Sequence, residues 1–170
     1  MKKTVTTEFK IDDVRAIKIG RRLCDKFYNR RGIFEKYSMP EYVLPRHLKQ
    51  GSKEHALWLT YVISIDYMTD AVKLWKRSRG AYELYPERFT PKKILSVSRR
   101  SVKTFARKLG ARFGSNAASI WIKLSKVLTD KYNDDPRNIT PEPLAVQEIK
   151  KKLAEFPSLR GPKLSNFYIR

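Results

Sequence analysis

Apolar residues recur every three or four positions along most of this chain, the spacing that lines one face of a helix. From Ile11 to about Tyr28, the residues Val14, Ile17, Leu23 and Phe27 form such a stripe, entered through Asp12 as a cap, and the pattern predicts an amphipathic helix. The stretch from 29 to 51 holds Gly32, Pro40, Pro45 and Gly51 among Phe34, Tyr37, Tyr42, Val43 and Leu44. That mixture predicts an ordered irregular connection that packs through its aromatic rings. Ser52 then caps a segment, His55 to Met68, that is apolar nearly all round through Leu57, Trp58, Leu59, Val62, Ile63 and Ile65. Such a helix needs others on every side and is the expected core helix. Thr69-Asp70 supplies a stop and a new cap, and Ala71, Leu74, Trp75, Ser78 and Tyr82 carry the next helix to about Leu84.

Thr90-Pro91 is a cap followed by proline in the first turn, opening a short helix through Ile94, Leu95 and Val97. Ser98 starts another, in which Val102, Phe105, Ala106 and Leu109 repeat at three and four, and Gly110 stands where a left-handed residue ends a helix. After the loop ARFGS, the residues Ala117, Ile120, Trp121, Leu124, Val127 and Leu128 give the clearest stripe of the chain, closing near Tyr132. NDDPRNITPEP reads as a polar loop. A last helix, Leu144 to Glu155, leads through FPSLRGPK into an apolar helical start, LSNFYIR. Seven or eight helices with short connections and no alternating strand pattern predict an all-α fold. The expected parts are 1–51, a helix with its irregular connection, and 52–170, a helical bundle.

Charge changes the picture. The 170 residues hold 37 Lys and Arg against 17 Asp and Glu, a formal net charge of +20, so a polyanion is the expected partner and nucleic acid the first candidate. The charge is concentrated: between Lys92 and Tyr132 eleven basic residues face one acid, Asp130. Single lysines there read as solvated helix faces, but outer faces ordinarily mix both signs, so the group points to a ligand. No apolar run is long enough to span a membrane, and the sequence alone supplies no membrane partner, although a surface role stays open. The start MKKTVTTEFKIDD has no apolar stretch of the secretory kind, and one cysteine, Cys24, makes no internal disulfide, so a cytoplasmic, nucleoid-associated location is expected. One cysteine and two scattered histidines, His47 and His55, give no expectation of a metal site or a cofactor.

The most specific local feature is the octapeptide from Phe156 to Lys163, placed between two helices. Glycine in such a turn lets the backbone approach a phosphate while the following helix aims its free N–H groups at the same oxygen, holding DNA without reading its sequence. A plain helix–helix turn with Pro and Gly as breakers fits the octapeptide alone equally well.

Context adds to it. In order from Ser52 onward come an apolar helix ending in Thr-Asp (LTYVISIDYMTD), a helix bearing Leu-Trp (KLWKRSRGAY), a Thr-Pro helix start (FTPKKIL), a Val-Lys-Thr helix ended by glycine (SVKTFARKLG), a small-residue helix start (GSNAASIWIKLSKVL) and the hairpin. In this series the chain resembles the helix-hairpin-helix DNA glycosylases of the endonuclease III superfamily. The resemblance implies a helical bundle with a C-terminal helix-hairpin-helix, an incomplete glycosylase-like fold, and duplex DNA, damaged or abasic, as partner. It makes Lys163 the catalytic lysine that attacks the sugar carbon to form a Schiff base, an attack that requires the unprotonated amine and cationic neighbours such as Arg160 to favour it. It puts Tyr67, otherwise readable as a packed tyrosine at a helix end, into the gap left by a flipped base. It assigns further DNA contacts to Arg112, Ser115, Asn116, Leu159, Arg160, Gly161 and Ser165.

The departures from the family pattern are specific. The hairpin has one residue more than usual, Ser158 and Arg160 stand where glycines are expected, and no aspartate follows Lys163 before Arg170. The apolar Leu164, Phe167, Tyr168 and Ile169 need a wall to pack on, which predicts self-association or a partner chain. The chain is therefore expected to be either an active glycosylase or lyase, or an incomplete or inactive member. The competing reading is a non-catalytic helical protein that binds RNA or the ribosome.

Overall fold

The structure, a computed structural model, describes residues 12–35 and 43–161; Tyr37, Tyr42, Lys163, Ser165 and the apolar segment from Leu164 to Ile169 lie outside them. The described residues form seven α-helices joined by turns and 3₁₀ segments, without a strand, so the chain is all-α as its periodicity predicts. It divides into two compact units, Met1–Met39 and Pro40–Arg170.

In the first unit α1, Asp13–Tyr28, starts where Asp12 accepts the Arg15 N–H at 3.1 Å. It ends where the Asn29 amide folds back on Asp25. A 3₁₀ turn, Gly32–Phe34, brings Phe34 edge-on to Phe27 with ring centroids 5.5 Å apart. The predicted helix is present, but no residue of it is buried, and Val14, Ile17, Ile19 and Leu23 are exposed.

The second unit holds α2 (Lys53–Ile65), α3 (Ala71–Leu84), α4 (Pro91–Ser96), α5 (Arg99–Leu109), α6 (Gly114–Tyr132) and α7 (Val146–Leu153). The caps read from the sequence form: Ser52, Asp70, Thr90 and Ser98 each accept the backbone N–H three residues on. Gly110 takes the left-handed conformation at φ +111° behind α5. The core is aromatic. Trp58 meets Trp75 edge-on, Tyr61 meets Trp121, and Phe89, Phe105 and Trp121 meet one another, with Trp58, Trp75 and Trp121 fully buried.

Two segments differ from the expectation, the end of α2 and the segment after α6. α2 stops at Ile65 rather than Met68, because the Asp66 carboxylate turns to accept the Trp75 Nε1–H at 3.0 Å and leaves Tyr67 and Met68 in a loop. Residues 43–51 hydrogen-bond to α3, through Arg79 to the Val43 carbonyl and the Arg46 N–H to Glu83. The segment read as a polar loop contains a 3₁₀ turn, Pro136–Ile139, in which Pro136 and Ile139 are buried. Its Asp135 carboxylate binds Nε and Nη2 of Arg137, whose Nη1 reaches the Gly51 carbonyl, so the turn is fastened to the start of α2.

Candidate nucleic-acid interface

Two turns of the second unit line one groove, and a third lines the depression beside it. The first follows α2, where the Ile65 carbonyl accepts the Tyr67 N–H at 2.8 Å and Met68 sits at φ +51°, a left-handed conformation uncommon for a side chain of this size. Thr69 anchors the turn by donating its hydroxyl to the Gly110 carbonyl at 2.7 Å, and Asp70 begins α3 immediately after. The turn is thereby held at both ends while Tyr67 and Met68 stay half exposed, at 53% and 54%. Strained residues on a well-tied turn are a known mark of functional sites.

The second turn is the corner between α5 and α6. A Cβ on Gly110 would lie 3.4 Å from Arg77 Nη1, which puts that guanidinium beside the corner. The Arg112 guanidinium stands over the Phe113 ring at 5.5 Å, within cation–π range, and Phe113 is half exposed. No side chain caps α6. A Cβ on Gly114 would collide with Cγ and Cδ of Arg107, so glycine there lets the stem of Arg107 cross the first turn of α6. The positive end of the helix dipole thus adds to the cations already present.

The third turn runs from Phe156 to Gly161, after α7. Phe156 and Leu159 are fully buried and anchor it in the core, with the Leu159 N–H donating to the Phe156 carbonyl at 3.1 Å. Pro157 and Ser158 are half buried and Arg160 is exposed. The Ser158 hydroxyl is shielded from solvent and has no hydrogen-bond partner among the described residues.

Between these turns lies a groove of about 360 Å³, whose walls include Tyr67, Asn116, Ser119, Lys123, Ser158 and Arg160. A shallow depression adjoins it, sharing Ser64, Tyr67, Asn116 and Ile120 and adding Arg112 and Phe113. Arg99 donates from Nη2 to the Ser119 hydroxyl at 2.9 Å and adds another cation at that edge. Among the described lining residues there is no carboxylate. Rings that can stack on bases, amide and hydroxyl groups that can meet base edges, and cations that can meet phosphates are therefore combined in one place. Among the described residues no three His, Cys, Asp or Glu side chains are grouped to hold a metal ion.

Four of the residues assigned to DNA, Tyr67, Arg112, Asn116 and Arg160, line this groove and its adjoining depression. Gly161 follows Arg160 and is half buried, whereas Ser115 is exposed on the first turn of α6 without lining the groove. Leu159 is fully buried, backbone included, so it anchors the turn in the core and does not make the expected contact with a ligand. Lys163 and Ser165 are outside the described residues. Sequence reasoning did not assign Phe113, Ser119 or Lys123 to the site, although Lys123 belongs to the basic window. For Lys123 a signal existed: Asn116, Ile120 and Lys123 are spaced four and three apart and share one face of α6. For Phe113 the only signal was an aromatic residue between Arg112 and a helix-starting glycine.

Compared with protein-family models, curated proteins and solved structures, the chain matches none of them.

Proposed function

We propose that this chain binds duplex DNA with little sequence preference and engages damaged or abasic positions, in the manner of base-excision-repair glycosylases and abasic-site lyases. The observation that carries the reading is the gathering of Tyr67, Arg112, Asn116 and Arg160, distant in sequence, along a cationic groove and the depression that adjoins it. Double-helical DNA provides phosphates for Arg112, Lys123 and Arg160, and a lesion provides the unpaired nucleotide that a groove flanked by Tyr67 and Phe113 can accept. Any strand cleavage is assigned to Lys163. The lack of a carboxylate among the described groove residues supports the second reading, a DNA-binding member of this type that does not cleave.

Binding to a plain duplex, the same duplex with a stable abasic analogue, and a structured RNA of equal length tests the proposal. Tighter binding to the abasic duplex is expected, with a log–log salt slope near about −5 if about six phosphates are neutralised. Preference for the RNA would replace the DNA reading with the RNA-binding one. Borohydride trapping on abasic DNA, lost on Lys163→Ala, separates the lyase from the non-cleaving binder.

A further inference from the structure

The first unit, taken by itself, carries an apolar helix face on α1. On a helical wheel Ile17, Gly20, Leu23, Cys24 and Phe27 fall on one side, joined in the first turn by Asp13 and bordered by Arg21, while Arg15, Lys18, Arg22 and Lys26 fall on the other, with Val14 and Ile19 toward its edges. A solvated helix of sixteen residues is marginal unless something covers its apolar side. Among the described residues of its unit, the Phe34 ring packs against Phe27. Ile17 is 56% and Leu23 47% exposed, and nothing lies within 4 Å of the place a Cβ on Gly20 would take.

From this exposure we infer that α1 lies in the interface of an anionic lipid surface, with the apolar side among the acyl chains and the arginines and lysines at the headgroups. The charge pattern selects this occupant. Five basic residues against Asp13 and Asp25 give the helix a net charge of +3, on a chain whose net charge is +20. Nucleic acid matches the cations but has no apolar face to offer, and a second copy brings another +20 toward the first. An anionic bilayer matches both sides of the helix together, the arrangement of interfacial basic amphipathic helices. The sequence alone supplied no membrane partner, because it holds no long apolar run, and it left a surface role open; the exposure of the stripe gives that role a place. Among the described residues no helix is long and apolar enough to cross a membrane, so the attachment is to the surface.

Cys24 provides the test, since it is the sole cysteine, is exposed and lies on the apolar side. The full chain, labelled there with a polarity-sensitive dye, is mixed with vesicles of phosphatidylcholine alone or with a quarter phosphatidylglycerol. The expected result is flotation and a blue shift with the anionic vesicles, neither with the neutral ones. Leu23→Glu, its helicity checked by circular dichroism, should weaken partitioning at least tenfold and leave affinity for plain duplex DNA unchanged. Flotation with a water-like emission from Cys24 would overturn the inference, since the general charge alone would then account for attachment. A blue emission before lipid is added would also overturn it, and sedimentation at several concentrations would then show whether a second copy covers the face.

Discussion

The Thr69 hydroxyl donates to the carbonyl of Gly110 across 41 residues of chain, at 2.7 Å, and so ties the turn carrying Tyr67 and Met68 to the corner carrying Arg112 and Phe113. Two turns that would otherwise fluctuate separately are held as one surface. Thr69→Val keeps the shape and removes the donor, which should lower stability by about 1 kcal/mol. If the tether positions the groove, affinity for the abasic-analogue duplex should fall about fivefold, the equivalent of about 1 kcal/mol. Urea melts and DNA titrations measure the two effects. Lower stability with unchanged affinity would mean that the turns serve the ligand independently.

The core contains a second polar connection whose direction the geometry fixes. The Ser125 hydroxyl donates to the Trp121 carbonyl at 2.7 Å, so the buried Tyr61 phenol, 2.6 Å from the same oxygen, is the donor to it. Burial raises the Tyr61 pKa well above the ordinary phenol range and keeps it protonated. Ser125→Ala strands a buried donor and should destabilise by about 1–3 kcal/mol, whereas Tyr61→Phe removes the donor itself and should cost about 1 kcal/mol. Equal losses in urea denaturation would show that the phenol finds another acceptor.

These two connections also indicate how far the sequence could be read. The caps at Asp12, Ser52, Asp70, Thr90 and Ser98, and the glycine stop at Gly110, depend on neighbours three or four residues away, and all were legible. The end of α2 was not, because it is set by Asp66 reaching Trp75, nine positions on. The burial of Pro136 and Ile139 was hidden in a polar-looking segment whose Asp135–Arg137 clamp depends on Gly51, far back in the chain. In the groove, Tyr67, Arg112, Asn116 and Arg160 were named through a family resemblance rather than through a local pattern. Phe113 was passed over because an exposed aromatic residue in a short loop has no periodic signature. The stripe of α1 was legible as a helix, but sequence periodicity does not say whether a face is covered.

His55 gives the structure a pH dependence. Its Nδ1 accepts the Gly51 N–H at 3.1 Å, an interaction possible only for the unprotonated nitrogen, and partial burial lowers its pKa below the ordinary value of 6.5. The folded state therefore binds the proton less readily than the unfolded chain, so this contribution is complete above about pH 6.5 and declines as pH falls through the window below it. His55→Asn retains an acceptor near the Nδ1 position without a titrating group, and should flatten stability between pH 7 and 5 relative to the parent. Urea midpoints across that range measure it. An undiminished slope in the variant would assign the dependence to other groups.

The groove's two aromatic residues and its cations should separate cleanly in binding experiments. Tyr67 and Phe113 are half exposed, so replacing either by alanine should leave the melting transition nearly unchanged. Stacking on a base is worth about 1–3 kcal/mol, so each substitution should weaken binding at an unpaired nucleotide by about fivefold or more, with little effect on fully paired DNA. Arg112→Ala and Lys123→Ala should instead weaken binding to both DNAs by similar factors and reduce the magnitude of the salt slope by about 1 each, since phosphate contacts act irrespective of pairing. If Tyr67 and Phe113 stack on different bases, their losses add; if they clamp the same base, the double variant loses less than the sum. Fluorescence titrations with a duplex carrying one unpaired nucleotide distinguish these outcomes. Loss of affinity for paired and unpaired DNA alike in the tyrosine variant would remove Tyr67 from the lesion-facing role and leave it a general contact on the duplex.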